Sequence, residues 1–241
     1  VRAGQRVMVM GVDELTTDVP EQRDWKKPAL SDRRLTDGER ANYNQPGGIG
    51  SMTDQEYWNR RARGMGGVYT TGAEENVLGY PNTRYSTEHI LVHEFSHGIN
   101  TAIRRTDPAL QAQLQAAYDS AIAKKLYLNA RGGRHYAINT IAEYYAEGTQ
   151  WWFWNNTCDI FVAPTTREQR RVFTPDDLKS YDPALWAVLE KVYHDHFIPV
   201  DHHAVRNRAN AAAYAEPLAC PSRGGPPASL LPLANQGFFP R

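Results

Sequence analysis

Apolar positions change their spacing several times along the chain, and each change marks an element. Arg6 to Val12 (RVMVMGV) is a short apolar run with β-branched members and reads as a buried strand. Residues 13 to 50 are charged, rich in Pro and Gly, and expected to be mostly irregular. A short helix follows over 53–63, with Thr53 or Ser51 as its cap. Gly64, Gly66 and Gly67 break it, and Val68-Tyr69-Thr70-Thr71 reads as a strand. Ser86-Thr87-Glu88 offers a capping hydroxyl and a first-turn acid, opening a helix that runs to about Arg105. Asp107-Pro108 opens the next, whose Leu110, Leu114, Ala117, Tyr118, Ala121, Ile122 and Leu126 recur every three to four residues. Gly132-Gly133 stops the chain before a third helix over 137–154. Asp182-Pro183 opens a fourth, with Leu185, Leu189, Val192 and Tyr193 on one face. The last 25 residues hold six of the fifteen prolines, so the tail from about 215 to 241 is either a coat over the domain or loose. The pattern predicts one α+β domain over 1–241, mainly helical with a small sheet.

Composition narrows the function. The 241 residues suit one domain with a real core, and 41% hydrophobic with 11% aromatic residues argues against disorder. Lys and Arg number 27 against 27 Asp and Glu, a balance that argues against a nucleic-acid partner held by phosphate neutralisation. No apolar run approaches the roughly 18 residues of a membrane span, so no membrane partner is expected. Two cysteines build neither a disulfide-stapled miniprotein nor a Cys-based zinc site. Cys158 and Cys220 are compatible with one disulfide, Asn155-Asn156-Thr157 is a glycosylation sequon, and the chain starts at Val1 without a signal-like run. Together these favour an extracellular, secreted protein.

The chemistry concentrates in His93-Glu94-Phe95-Ser96-His97, an H-E-x-x-H motif inside the helix opened by Ser86. At 100° per residue His93 and His97 stand one turn apart on one face, close enough to share a tetrahedral ion. Glu94 projects to the side, where a carboxylate accepts the proton of a water polarised by that ion. Val92, Phe95, Ile99, Ala102 and Ile103 form an apolar stripe; His89, His93, His97, Asn100 and Arg104 form a separate polar one. Asn100 is a further candidate for orienting a ligand. Gly98 within the helix implies a close approach. A third ligand is expected from Ile141-Ala142-Glu143-Tyr144-Tyr145-Ala146-Glu147, where two acids at i and i+4 share one face of an apolar and aromatic segment. Acids in such a setting need a cation or donors. Glu143 as ligand, with Glu147 orienting a ligand histidine through its free ring N–H, accounts for both, and the reverse assignment stays open.

HEFSHG followed some 45 residues later by AEYYAEG resembles the gluzincin metallopeptidases, and within them the secreted zinc peptidases related to the catalytic domain of anthrax lethal factor. The likeness covers about residues 87 to 150. It implies a zincin-like fold with an HExxH helix and a second, glutamate-bearing helix. It also implies one zinc ion on His93, His97 and Glu143, with Glu94 as general base. A tyrosine precedes the second helix in that family and stabilises the oxyanion; Tyr136 falls at the matching place, with His135 beside it as a rival donor. The activity implied is endopeptidase cleavage of a peptide or protein substrate. A zinc hydrolase acting on a carbohydrate conjugate or small amide, and a non-catalytic module with a structural zinc, are the alternatives.

Other features stay open. Gly66, Gly67, Val68 and Tyr69 either receive a substrate strand along a sheet edge or form a plain turn. Glu74-Glu75-Asn76 lines the cleft, binds a second cation or is an ordinary acidic loop. Trp151-Trp152-Phe153-Trp154 is an aromatic platform or, better, core packing. His194, His196, His202 and His203 with Asp195 and Asp201 resemble a second metal cluster, though solvated histidines at a helix end explain them equally.

Overall fold

Aspartate or threonine followed by proline decides where three of the helices begin. A computed structural model of the chain describes residues 4–32, 35, 37–80, 83–196, 201–213, 218 and 220. In chain order its elements are β1 (Arg6–Met10), α1 (Asp37–Ala41), α2 (Asp54–Arg61), β2 (Tyr69–Ala73), α3 (Glu74–Val77), α4 (Ile90–Thr106), α5 (Pro108–Ala123), α6 (Ile141–Trp152), β3 (Asp159–Val162), β4 (Gln169–Val172), α7 (Pro175–Tyr181), α8 (Pro183–Tyr193) and α9 (His202–Ala213). Asp107, Thr174 and Asp182 each accept the third backbone N–H of the helix they precede, from Leu110 (2.9 Å), Asp177 (3.0 Å) and Leu185 (3.1 Å). Proline then takes the first helical position, where its missing N–H costs nothing. Thr53, not Ser51, caps α2 in a reciprocal box with Glu56.

The class is mixed and mainly helical, with two two-stranded sheets rather than one. β1 and β2 pair in parallel from Arg6↔Tyr69 to Met10↔Ala73. β3 and β4 pair antiparallel from Asp159↔Val172 to Val162↔Gln169. The strand expected at 6–12 is shorter and not buried: Val7 and Val9 are 49% and 51% exposed, and only Met10 (2%) is enclosed. One face of a two-stranded sheet is all that α4 and the neighbouring loops cover. α5 stops at Ala123, ahead of Leu126, and Ile122 lies exposed. No helix among the described residues is long and apolar enough to cross a membrane. The Pro-rich tail from about 215 lies outside the described residues except for Leu218 and Cys220. Cys220 is bonded to Cys158, with their Cα atoms 5.6 Å apart.

The main core lies among α5, α6, α7, α8 and the β3–β4 hairpin. Tyr127 anchors its centre. The ring stacks on Trp151 with centroids 5.9 Å apart and meets Phe161 and Tyr181 edge-on. Its backbone sits at φ 60°, a left-handed conformation costing a non-glycine residue on the order of 1–3 kcal/mol, which this burial offsets. Trp151 is thus a core residue, and Trp152 packs on Trp186 at 5.3 Å.

Asp182 ties this core together, since its Oδ2 accepts from Tyr144 Oη at 2.6 Å and Tyr127 Oη at 3.0 Å while Oδ1 caps α8. Asp182→Ala removes the cap and strands two buried hydroxyls. It should lower stability by about 2–4 kcal/mol in urea unfolding; a loss below about 1 kcal/mol would show that the tyrosines find other partners.

Candidate metal centre

The site is made where α4 crosses α6. The Ser86-Thr87-Glu88 start expected for α4 is displaced: the helix begins at Ile90, after an extended His89 whose side chain makes no cap. The capping oxygen comes from elsewhere in the chain. Asn76 Oδ1 accepts from Ile90 N at 2.8 Å, and its Nδ2 donates to Tyr85 O and Glu88 O, each at 2.8 Å. His89 N–H donates to Asn155 O at 2.9 Å. On α6, Thr140 is the cap and accepts from Glu143 N at 3.2 Å, fixing the turn from which the Glu143 side chain projects.

From these two helices, His93, His97 and Glu143 converge. Glu143 Oε2 lies 2.9 Å from His93 Nε2 and 3.5 Å from His97 Nε2, and the three ligand atoms all fall within 4.8 Å of one another. Two nitrogen or oxygen ligands about 2.0–2.1 Å from a tetrahedral ion stand roughly 3.3–3.4 Å apart, so the spacing suits a metal such as zinc. Among the described residues this is the one group of His, Cys, Asp and Glu able to hold a metal ion.

The charges around it also suit a cation. Burial pushes Glu94 up to about 7, and burial raises Glu88 and Glu147 as well. Burial alone would pull His93 down, but its hydrogen bond to Glu143 and the charges of Glu147 and Glu94 set it at about 10. Burial and the adjacent His93 lower His97 to about 4. Glu143, despite burial, is held below its usual range by His93, His97 and the Tyr136 hydroxyl. Carboxylates crowded like this around two imidazoles are stabilised by a divalent ion.

Glu94 Oε2 is 3.8 Å from His97 Nε2. Tyr136 stands at the open side, 46% exposed, its ring centroid 6.2 Å from that of His93 and its hydroxyl within the influence of the Glu143 carboxylate. Burial and the Glu143 charge push that phenol up, so it remains a donor at ordinary pH. His135 turns away: its Nδ1 accepts from Ala137 N at 3.2 Å and its Nε2 faces Asp159 at 3.6 Å. Between the two rival donors, the geometry brings Tyr136 to the site.

Several expectations change. Glu147 Oε1 lies 3.6 Å from His93 Nδ1, and the nearer partner of that nitrogen is Gln150 Oε1 at 2.8 Å. Asn156 Nδ2 instead engages Glu147 Oε2 at 2.8 Å. Neither Gln150 nor Asn156 was anticipated. Gln150 had a readable signal, since Glu143, Glu147 and Gln150 fall at i, i+4 and i+7. Asn100 is buried, its Nδ2 has no partner, and no hydrogen bond among the described residues joins it to His93, His97 or Glu143. Around Gly66 to Tyr69 two backbone pairings flank the segment. β1 takes Val68 O through Arg6 N at 2.8 Å, and Met65 pairs with Thr71 on the other side. Gly66 is a glycine because a Cβ there would lie 2.7 Å from His97 Cδ2. The approach at Gly98 is made by the Gln5 side chain.

Glu75 pairs with Arg63 at 2.8 Å, and Glu74 accepts from Tyr80 Oη at 2.6 Å, so this acidic pair is engaged away from the site. His194 and His196 are exposed, as solvated residues would be. His203 is not: it is buried, with Nε2 2.8 Å from Asn76 O. The sequon's Asn155 is 0% exposed, so the folded chain hides its amide from glycosylation.

No protein-family model matches the chain, and no curated protein matches it either. The metal assignment therefore stands on geometry. Glu143→Ala should reduce bound metal after dialysis from equimolar to negligible, measured by atomic emission; retention at the parent level would place the third ligand elsewhere.

Proposed function

We propose that the protein is a zinc-dependent hydrolase, an endopeptidase of the gluzincin type on a zincin-like fold. The observation that carries this reading is the convergence of His93, His97 and Glu143 with Glu94 and Tyr136 at one partly open corner. His93 and Glu147 close the rear, while His97, Glu94, Glu143 and above all Tyr136 reach solvent. A structural zinc would be enclosed by a fourth protein ligand, and none joins the group among the described residues. This openness favours the enzyme over the non-catalytic module.

Zinc supplies Lewis acidity there when bound, polarising a carbonyl and acidifying water. His93 and His97 give it neutral nitrogens, and Glu143 gives it one negative oxygen. Glu94 takes a proton from the attacking water and returns it to the leaving amine. Tyr136 donates its hydroxyl proton in a hydrogen bond to the oxygen that gains negative charge. We also propose that the protein works outside the cytosol. The Cys158–Cys220 bond supports this, and the buried sequon no longer does.

The test is digestion of a peptide library with the zinc-loaded protein, read by mass spectrometry. Internal cleavage that a chelator abolishes and zinc restores is expected. Glu94→Gln should keep its zinc and lose roughly 10²–10⁴ in kcat; parent-level turnover would overturn the mechanism. Tyr136→Phe should lower kcat by roughly 10²–10³ with little change in KM. An intact library together with hydrolysis of acylated sugars or small amides would move the substrate class to non-peptides.

A further inference from the structure

Behind the two imidazoles, fully buried Gln150 has no part in the chemistry above, yet its surroundings leave its amide no choice of orientation. One end faces His93 Nδ1 at 2.8 Å. The other end faces His89 O at 3.2 Å, Glu88 Oε2 at 3.4 Å and Asn155 O at 3.5 Å. Two of these are backbone carbonyls, which only accept. The end that meets them must therefore be the NH2 group, whichever way a primary amide is drawn. The end that meets His93 is then an oxygen, and an oxygen there requires a proton on Nδ1.

We infer that Gln150 is the positioning residue of the metal centre: anchored by the carbonyls of His89 and Asn155, it holds His93 in the Nδ1–H form and reserves Nε2 for the ion. The inference rests on the zinc reading of His93, His97 and Glu143. The carboxylate of Glu147 does not do this work, because Asn156 draws it off to 3.6 Å from the same nitrogen. A neutral amide suits the place. Glu88, Glu94, Glu143 and Glu147 already crowd the site, and a carboxylate at 150 would face two carbonyl oxygens and Glu88. The anchors also matter for direction. His89 is the residue before α4 and Asn155 follows α6, so the amide measures the gap between the two helices that carry the ligands.

The test titrates zinc into the full chain against a chromophoric chelator and follows the histidine rings by ¹⁵N NMR on the same samples. Gln150→Met keeps the side-chain length and removes the amide. Its zinc affinity should fall by roughly 10–100-fold. In the loaded parent, His93 should carry a slowly exchanging proton on Nδ1, and in the variant that proton should exchange with solvent. Unchanged affinity in the variant would overturn the inference. So would a parent spectrum with the His93 proton on Nε2, a result that needs no variant to fold. A parent that takes up no zinc would refute the zinc reading instead. The unloaded spectra then decide only the hold of Gln150 on the ring: a protected Nδ1–H in the parent that Gln150→Met loses upholds that contact without a metal role, and an unprotected one overturns the inference entirely.

Discussion

Carboxylates buried beside imidazoles set the terms for the rest of this protein. Glu88, Glu94, Glu143 and Glu147 gather where α4 crosses α6, and burial raises three of the four. A buried charge without a partner costs several kcal/mol, so the groups that hydrogen-bond these carboxylates are sources of positive charge or neutral donors. The positive charge comes from His93 and whatever cation the triad binds. The neutral donors are amides: Gln150 and Asn156 at the rear, and behind them Asn207, whose Nδ2 donates to Asn156 O at 2.9 Å. Among the described residues, no Lys or Arg pairs with these four glutamates. A built-in cation would compete with the metal for the same oxygens.

The aromatic core does the remaining work of holding α6 in place. Trp151, one residue beyond Gln150, is fixed on Tyr127, and Tyr144, one residue beyond Glu143, is fixed on Asp182. The side chains that pack and the side chains that face the candidate metal site alternate along the same helix. Any rotation that moved Glu143 would drag Tyr144 from its partner. The precision of the polar face is thus inherited from the packing of the opposite one.

Much of this was legible in the sequence, and the exceptions have physical causes. His93 with His97, and Glu143 with Glu147, were readable because helical spacing puts each pair on one face, while the choice of Glu143 as the ligand came from the family resemblance. The Asp-Pro starts at 107 and 182 were readable because cap and proline are neighbours in sequence. The start of α4 was not, because its capping oxygen comes from Asn76, fourteen residues upstream. The β3–β4 hairpin was missed since QRRV carries two arginines and shows no apolar alternation. Gln150 escaped because a glutamine's role depends on which groups surround it, and His89 O and the His93 ring lie 61 and 57 residues away in sequence.

The long-range cap on α4 has a consequence for the order in which the molecule comes into being. A ribosome delivers His93 and His97 before Glu143, and long before Arg206, which reaches back to Ser86 across 120 residues. Until Asn155 arrives, the backbone ahead of α4 has no acceptor for His89 N–H, and until α9 follows, nothing braces the loop behind it. The emerging chain therefore carries its two histidines without Glu143 for the next 46 residues, and without the brace from α9 for longer still. A site braced in this way closes only after segments as far apart as Asn76 and Arg206 have both been made.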